Sequence, residues 1–359
     1  MTVSLAMIPH SRPSLGDEDV EAVTAVLGSG QLGQGPRVEQ FERAVAAFVG
    51  VHGGVAVSSG TAALELALLA LGVGPDDEVI LPSYVCAAPW LAVVRIGARP
   101  RIVDIDLATF AIDPGATRKA LSPRTRAIIV PHPFGLAADL TKLQTLGVPL
   151  VEDCAQTLGA TVVGRQVGRV GQVTVCSFYA TKLLCTGEGG MLLSNDEAIL
   201  EKARALREYD EEPSLQAGSF NFKMTDLQAA LGLSQLSRFR SFLERRAAIA
   251  AYYQRALGPT GVLLPTVPEG RTHIYYRYVV RLRPSHDSQA SMDALLTRLE
   301  HRGVQCRRPV FRALHRYLNL DGYPASEQAS ETALSVPIYP SMTDDEMTRT
   351  ARMLCEELA

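Results

Sequence analysis

Short runs of valine, isoleucine and leucine alternate with helix-forming segments through the first half of the chain. Val55–Val57 is one such run, and the alanine- and leucine-rich stretch Ala62–Leu71 that follows it is a strong helix former. Comparable apolar runs occur at 78–81, 100–104, 127–130, 150–151 and 172–179. Continuous apolar runs separated by helices are typical of a mostly parallel β-sheet that is covered on both faces. This alternation therefore predicts an α/β fold.

Polar clusters follow the predicted strands at the points where the strands end. They come directly after Val57, Leu81, Val130, Val151 and Ser177. In mostly parallel sheets, ligands bind at the carboxyl ends of the strands. The sequence therefore predicts one shared site at that edge of the sheet.

The pattern changes near residue 226. Residues 226–257 are predicted to form a single helix, with only Gly232 against it, and a β segment follows at 273–282. A chain of 359 residues fits two domains at about 150 residues each. We expect a large domain that includes an N-terminal arm at 1–240, and a smaller α+β domain at 241–359.

Charge and cysteine content argue against several classes of protein. With 35 basic and 38 acidic residues the formal charge is -3, whereas a general nucleic-acid binder needs a net basic surface. No apolar run approaches the roughly 18 residues of a membrane span, and the first residues do not resemble a secretory signal. The six cysteines include no C-x-x-C pair, which disfavours a zinc or iron–sulfur site and a disulfide framework. We expect a cytoplasmic protein that binds no metal, nucleic acid or membrane.

Gly60 and Thr61, at the start of the helix predicted after Val57, are the first candidate binding residues. A small-residue turn that leads into a helix presents free backbone N–H groups at the positive end of the helix dipole, which suits a phosphate. The sequence Ser-Ser-Gly-Thr is also an ordinary helix cap. The residues alone leave both interpretations open.

Asp153 ends an apolar run, and Gln156 follows it three positions later. A carboxylate in such surroundings is costly without a cationic or hydrogen-bond-donating partner. The protonated pyridine nitrogen of a pyridoxal cofactor is one such partner, and Gln156 can reach the same ring. The alternative is a structural aspartate that caps the following helix.

Lys182 lies just beyond the strand that ends near Ser177, among small residues and glycines. Most lysines are solvated surface groups. A lysine held in a cleft, however, loses its proton readily and can bond covalently to an aldehyde. Ser177 would add a hydroxyl group to a phosphate site, and the nearby glycines would let the backbone pass close to a cofactor.

These segments together resemble the DegT/DnrJ/EryC1/StrS family of pyridoxal-phosphate-dependent aminotransferases. Six motifs stand in order and at fitting separations: G-P-R-V-E-Q-F-E (35–42), V-S-S-G-T-A-A-L (57–64), V-E-D-C-A-Q (151–156), S-F-Y-A-T-K (177–182), G-E-G-G (187–190) and N-F-K-M-T-D-L-Q-A-A-L-G (221–232). The resemblance covers nearly the whole chain. It implies the type I aminotransferase fold, a homodimer with shared active sites, and transfer of an amino group from L-glutamate to a keto sugar, typically a nucleotide-linked keto-deoxyhexose.

The resemblance also implies roles for individual residues. Lys182 matches the lysine that bonds to the cofactor aldehyde and acts as the general base, with pyridoxamine phosphate as the form reached halfway through the reaction. Asp153 matches the partner of the pyridine nitrogen, and Gln156 matches a residue near the ring hydroxyl. The phosphate cradle is matched by Gly60, Thr61, Ser177 and, from the other subunit, Asn221.

Three further positions have a second interpretation. Cys86 stands where an aromatic residue often covers the cofactor ring, so that either its sulfur packs on the ring or Tyr84 takes that place. Lys223 stands where arginine is common, and lysine cannot form the bidentate fork with a donor carboxylate. His132 matches a family histidine near the cofactor, and a packed, hydrogen-bonded histidine is the alternative. His132 and Lys223 are predicted substrate contacts.

Residues 301–316 are rich in arginine and contain no acidic residue. Because the guanidinium group matches the geometry of phosphate, Arg307 and Arg308 are candidates to anchor the diphosphate of a nucleotide-linked substrate. A solvated helix or loop face is the alternative.

Other functions fit the same resemblance. The scaffold can aminate a keto-cyclitol (an inosose), and family members with histidine at the position of Lys182 perform a dehydration instead. A non-catalytic regulatory homologue is a third alternative, although an intact set of Lys182, Asp153 and Ser177 speaks against it. Because this chain keeps the lysine, transamination is the favoured prediction.

Overall fold

A seven-stranded β-sheet forms the centre of the larger part of the molecule. The computed structural model describes residues 6–209, 218–283 and 288–358. Its strands are β1 (Gly53–Val57), β2 (Glu78–Pro82), β3 (Arg99–Val103), β4 (Thr125–Pro131), β5 (Leu150–Asp153), β6 (Thr161–Val162), β7 (Arg165–Gln166), β8 (Val173–Ser177), β9 (Gly190–Ser194), β10 (Tyr278–Arg281) and β11 (Ala333–Val336). The large sheet has the order β1-β9-β8-β5-β4-β2-β3, in which only β9 runs antiparallel to its neighbours.

Helices connect the strands and cover the sheet. They are α1 (Asp17–Ser29), α2 (Pro36–Val49), α3 (Gly60–Ala70), α4 (Ala88–Arg95), α5 (Pro114–Ala120), α6 (Thr141–Gln144), α7 (Glu197–Arg207), α8 (Asp226–Ser237), α9 (Phe239–Leu257), α10 (Ser288–His301), α11 (Leu314–Leu318), α12 (Pro324–Thr332) and α13 (Asp344–Leu358). In the described part of the chain, none of these helices combines the length and the apolar composition that a membrane crossing requires.

Both faces of the sheet are buried, which explains the continuous apolar runs in the sequence. Successive side chains of a strand point to opposite faces. In β1, Val55 and Val57 therefore pack into one core with α3, whereas Ala56 packs into a second core with Val38 of α2. The mostly parallel α/β sheet predicted from these runs is confirmed.

The single helix predicted over 226–257 is wrong in one respect, because the chain forms two helices there. The helical path is interrupted at Arg238, whose backbone has φ −103° and ψ 1° and whose guanidinium pairs with the buried Asp19 of α1. Gly232 stays inside α8 because a Cβ atom at this position would lie 2.6 Å from the ring of Phe41. The close approach of α2 thus explains why a glycine, which is a poor helix former, occupies position 232 within α8.

The C-terminal part of the chain has its own hydrophobic core. Strands β10 and β11 form a two-stranded antiparallel sheet, and α9, α10 and α13 pack around it together with Ile8 of the N-terminal arm. The β segment predicted at 273–282 is regular strand only over Tyr278–Arg281. The proposed boundary between residues 240 and 241 falls at the beginning of α9, and the division into 1–240 and 241–359 remains a proposal.

Candidate active site

Three elements that are distant in sequence meet at one edge of the sheet. Val57 at the end of β1 and Ser177 at the end of β8 both pair with Gly190, the first residue of β9. The helix that follows β1 begins at Gly60 and therefore starts beside Ser177. Two of the five predicted strand ends, those at Val57 and Ser177, thus lie next to each other.

Backbone atoms crowd the N-terminus of α3. A Cβ atom at Gly60 would lie 2.7 Å from the Cβ of Ser177, and one at Gly190 would lie 2.3 Å from the carbonyl oxygen of Ser59. The Ser59 hydroxyl caps the helix by accepting from the Ala62 N–H at 3.1 Å. Among the described residues, the N–H groups of Gly60 and Thr61 have no hydrogen-bond acceptor. The result is a concave group of free donors of the kind that binds an anion.

Asp153 is buried at the end of β5, with an incomplete set of partners. One carboxylate oxygen, Oδ1, accepts from the Ala155 N–H at 2.9 Å, and within the described residues the other oxygen accepts no hydrogen bond. Burial raises the pKa of Asp153, and the Ala155 hydrogen bond and the charge of Lys182 only partly offset that rise. A cationic donor beside this carboxylate would remove the penalty.

Lys182 lies in the loop between β8 and β9, which continues as a hairpin beyond the strands. The Phe178 N–H donates to the Gly189 carbonyl at 2.8 Å, and the Ala180 N–H donates to the Gly187 carbonyl at 2.9 Å. The half-buried Lys182 places Nζ 5.2 Å from the ring centroid of Tyr276. In the part of the chain that the structure describes, no carboxylate lies within ion-pair distance of this amine. It is therefore available for chemistry.

Tyr276 is a site residue that the sequence analysis missed. Burial by itself raises the pKa of its phenol, but the charges of Lys182, Arg277 and Arg246, together with a hydrogen bond to Thr181, outweigh burial and lower that pKa. The signal in the sequence was the polar and aromatic run 273–278, which is unlike the apolar runs of the buried strands. This segment lies against the sheet edge, with the Ile274 N–H donating to the Gly135 carbonyl at 2.8 Å.

His132 is a packed histidine without a free ring nitrogen. Its Nδ1 accepts from the Ala138 N–H at 3.0 Å, which leaves Nε2–H to donate to Glu152 Oε2 at 3.1 Å. Its backbone N–H donates to the Asp153 carbonyl at 3.1 Å. Because both ring nitrogens are bonded inside the protein, the geometry favours the packed histidine over the substrate contact, which stays a prediction. Gln156 lies close by, and its Oε1 accepts from the Phe134 N–H at 2.8 Å.

Glu152 joins His132 to the loop before β8. Its carboxylate is fully buried and accepts backbone N–H groups of Gly168, Val170 and Gly171 at 2.8, 2.7 and 2.6 Å. Burial works to raise the pKa of Glu152, but the bonds from His132 and from the backbone outweigh it and lower that pKa. Glu152 therefore holds the ends of β4 and β5 in register beside Asp153.

We expect Glu152→Gln to lower the free energy of unfolding by about 3 kcal/mol. The substitution removes a buried, hydrogen-bonded charge, and the N–H groups that donate to it lose their charged acceptor. Since the pKa of Glu152 is lower in the folded chain, its contribution is complete above the ordinary glutamate pKa. That contribution is lost as the pH falls toward the lowered value. Urea unfolding between pH 7 and pH 3 measures both effects. Glu244→Gln, whose side chain is 66% exposed, is the control, and equal unfolding curves for the two variants would contradict the assignment.

Cys86, and not Tyr84, faces the site. Tyr84 is buried, its hydroxyl donates to the Ala329 carbonyl at 3.2 Å, and its ring stacks on Phe110 at 5.8 Å, so it is not free to cover a cofactor. Cys86 remains accessible to solvent. The surrounding protein raises the pKa of its thiol, and the charge of Lys182 acts on the same pKa in the opposite direction.

Asn221 and Lys223 lie just beyond the end of β1. The Lys223 backbone pairs with Val57, but its Nζ lies 3.8 Å from Glu208 Oε2, so the amine is held within the chain. This ion pair does not favour the predicted substrate contact of Lys223. Asn221 is exposed on the single chain, and its Oδ1 accepts from the Lys223 N–H at 3.4 Å.

The arginine-rich run 301–316 is largely neutralised by acidic residues from other helices. Arg308 donates to Asp293 of α10 and to the Ser330 carbonyl, both at 2.8 Å, so its predicted role as an anchor is not favoured. Other partners of the run are Glu327, Glu356 and Glu357. Arg307 is exposed and, within the described residues, pairs with no carboxylate.

Comparison with known proteins assigns this chain to a family. Residues 13–354 match the model of the DegT/DnrJ/EryC1/StrS aminotransferase family. The chain is 36% identical to the spore coat polysaccharide biosynthesis protein SpsC of Bacillus subtilis (strain 168), over 95% of this chain and 94% of that protein. It is 33% identical to the GDP-perosamine synthase of Caulobacter vibrioides, over 89% of this chain and 90% of that protein.

The solved structures agree with the sequence comparison. The PMP form of Spr1654 from Streptococcus pneumoniae superposes with a TM-score of 0.93 at 25% identity, covering 98% of each chain. The chain thus shares the fold of a protein whose solved structures include a PLP form and a PMP form. The chain is a pyridoxal-phosphate-dependent enzyme and belongs to the DegT/DnrJ/EryC1/StrS aminotransferase family.

Proposed function

We propose that this enzyme transfers the amino group of L-glutamate to the ketone of a nucleotide-linked keto-deoxyhexose, and that it works as a homodimer with shared active sites. The observation that carries the proposal is the half-buried Lys182 amine, which lies at the same sheet edge as the buried Asp153. No carboxylate among the described residues forms an ion pair with this amine. A lysine there, in place of histidine, favours transamination over dehydration.

The residues present fit pyridoxal phosphate. The free N–H groups of Gly60 and Thr61, with the Ser177 hydroxyl, would hold the phosphate. Asp153 would bind the protonated ring nitrogen, which would donate a hydrogen bond to the carboxylate oxygen that has no donor in the chain. The amide nitrogen of Gln156 would remain for the ring hydroxyl, since its Oε1 is already bonded to Phe134. When bound, the cofactor supplies the electron sink for the reaction.

The task of the chain is to orient the substrates and to place protons. In this proposal the Lys182 amine takes the proton from Cα of the donor as a general base and then, as a general acid, delivers it to the cofactor carbon on the far side of the amino nitrogen. The Tyr276 ring beside Nζ limits the positions that the amine can adopt. Cys86, which remains accessible at the site, would contact the ring face.

Gly60→Ala should weaken binding of pyridoxal phosphate by about 10- to 100-fold, because the added methyl group would overpack the cradle against Ser177. Gly28→Ala is the matched control, since it also lies in a helix and a Cβ atom there meets nothing within 4 Å. Fluorescence titration of each apoprotein with the cofactor measures the change. Equal affinities in the two variants would remove Gly60 from the cradle.

The substrate class is inferred from the relatives. One of them is named GDP-perosamine synthase, and another is named for spore coat polysaccharide biosynthesis. These names support a sugar acceptor carried on a nucleotide, for polysaccharide or glycoside biosynthesis. Asn221, exposed on the single chain, supports a dimer because it remains available to a second subunit.

A panel of acceptors tests the proposal. The enzyme is first converted by L-glutamate, which should bleach the visible band of the bound cofactor, and is then offered nucleotide-linked keto-hexoses and free inososes. We expect the band to return only with the nucleotide-linked sugars, and sedimentation velocity to give a dimer. Return of the band with an inosose alone would assign the enzyme to keto-cyclitols instead.

A further inference from the structure

A cavity of about 740 Å³ lies beside the β6–β7 hairpin. Glu152 and His132 line it, whereas Asp153 and Lys182 do not. Glu152 and Asp153 are successive residues of β5, so their side chains point to opposite faces of the sheet. This cavity is therefore separate from the candidate active site. Its volume is typical of small-molecule sites, which span roughly 300–1,000 Å³.

The lining of this cavity combines apolar walls with positive charge. Its apolar residues are Ala138, Leu140, Val162, Val163, Val167 and Val170. Its cations are Arg165 and Arg169, and both are exposed. The nearby ion pair of Arg271 with Asp139 involves neither of them, and no carboxylate in the described part of the chain pairs with either guanidinium. Charge complementarity therefore favours an anionic ligand that has an apolar body.

The tip of the hairpin carries a residue that does not suit its conformation. Val163 and Gly164 form the two-residue loop between β6 and β7, with φ of 48° and 73°. Positive φ at both positions is the pattern of a type I′ turn, which favours asparagine, aspartate or glycine at its first position. Val163 is the only β-branched residue with positive φ among the described residues, and it is 80% exposed. Little packing within the chain offsets this strain, so an apolar partner at the cavity mouth would explain the valine.

Gln166 of β7 offers the cavity a hydrogen-bond acceptor. Its Oε1 is buried and accepts no hydrogen bond within the described chain. Gln34 has the same deficit, so the deficit alone does not identify a site. Gln166 differs because it lines the cavity together with the two arginines that lack a carboxylate partner. A ligand N–H would satisfy this acceptor.

The segment that surrounds the cavity begins and ends beside Asp153. It leaves the sheet at Asp153, forms the hairpin, and returns through Gly168, Val170 and Gly171. The N–H groups of these three residues donate to Glu152, the neighbour of Asp153 in β5. A ligand that orders the hairpin therefore also orders the residues that hold the end of β5.

We propose that this cavity is a second ligand site, which binds a small organic anion with an apolar ring, and that its occupation is linked to cofactor binding at Asp153. The anionic group would contact Arg165 and Arg169, whose planar guanidinium groups also stack on rings. The ring would cover Val163, and a donor on the ligand would reach Gln166. Because the ligand would order the hairpin, we expect the cofactor to bind more tightly in its presence, and the ligand to bind more tightly in the presence of the cofactor.

Anilinonaphthalene sulfonate is a suitable probe, because it combines a naphthalene ring, a sulfonate and one N–H group. Isothermal titration of the purified holoenzyme should show binding at least about fivefold weaker in Val163→Asn and in Arg169→Met than in wild type. Neutral N-phenylnaphthylamine, which lacks the sulfonate, should bind more weakly than the sulfonate and should be insensitive to Arg169→Met. Inorganic sulfate alone should not bind measurably, since it has no ring.

The variants are chosen so that loss of binding is not loss of folding. Asn-Gly is a favoured sequence for a type I′ turn, so the thermal midpoint of Val163→Asn should equal or exceed that of wild type. Val20→Asn is its matched control, since this valine is 64% exposed on α1 and lies outside the cavity. Arg240→Met is the control for Arg169→Met, because Arg240 is 93% exposed. Equal probe affinities in wild type, Val163→Asn and Arg169→Met would overturn the site.

Titration of the apoprotein with pyridoxal phosphate, with and without saturating probe, tests the link to Asp153. We expect several-fold tighter cofactor binding in the presence of the probe in wild type, and no such change in Val163→Asn. An unchanged cofactor affinity in wild type would overturn the link. A weakening of equal size in both proteins would also overturn it, because the probe would then compete at the cofactor site itself.

Discussion

Replacement of Lys182 by alanine is expected to lower turnover by at least about 10³-fold, because the variant loses both its nucleophile and its general base. The Tyr276 ring and the hairpin between β8 and β9 remain in place in this variant. The bonds that hold the loop are backbone bonds, from Phe178 to Gly189 and from Ala180 to Gly187. Stability should therefore change little, and the loss should be chemical.

Single-turnover assays with L-glutamate, together with thermal unfolding, measure the two quantities. Lys202→Ala is the control, because its Nζ only donates to the Ala70 carbonyl at 3.4 Å, remote from the sheet edge. Addition of a small primary amine should restore part of the lost rate in Lys182→Ala and none in the control. Repeated turnover by Lys182→Ala without added amine would falsify the role of this lysine.

The second large effect is expected for Asp153→Asn, which should lower turnover by about 10²–10³-fold. In the chain alone, burial raises the pKa of Asp153. A protonated ring nitrogen beside the carboxylate would stabilise its charged form, and in return the carboxylate would keep that proton on the ring. Asparagine has nearly the same shape as aspartate but no charge. The cofactor would therefore still bind, but its ring would accept electrons less readily.

Turnover and the absorption spectrum of the bound cofactor measure this effect. Asp139→Asn is a suitable control, since its side chain is 45% exposed and lies 3.9 Å from its partner Arg271. We expect the control to match wild type. If Asp153→Asn binds the cofactor normally and also turns over at the wild-type rate, another group must hold the ring proton.

The residues at the strand ends could be predicted because their position follows from local sequence. Asp153 and Ser177 each follow an apolar run, and Gly60 and Lys182 each lie a few residues beyond one. Parallel strands bring their carboxyl ends to a common edge, so sequence order alone placed these residues together. The family resemblance then assigned them roles that remain to be tested by the variants above.

What could not be predicted depends on partners that are remote in sequence. The arginine run 301–316 looked like a free cationic patch because Asp293, Glu327 and Glu356 lie outside it. His132 looked available because nothing local shows that Glu152 and Ala138 take both of its ring nitrogens. Tertiary contacts of this kind leave no periodic signal.

The segment 273–278 was missed for a related reason. Tyr276 and Arg277 belong to a segment that was predicted as plain strand, yet Phe134 and Gly135 hold part of its backbone against the large sheet. The chemistry of these residues depends on a side chain from β8–β9 and on another from the N-terminal arm. Only the folded chain brings Lys182 and His10 to the same segment.

Gly190 has a consequence for the order in which the molecule assembles. Among the strands that the structure describes, β1 pairs in the large sheet with β9 alone, so Val57 lacks its partner strand until Gly190 has folded back between β1 and β8. Closing so long a loop is slow, and every earlier intermediate lacks the cradle. We therefore expect a refolding chain to gain cofactor binding late. Cofactor fluorescence during refolding should accordingly lag behind the appearance of helical signal.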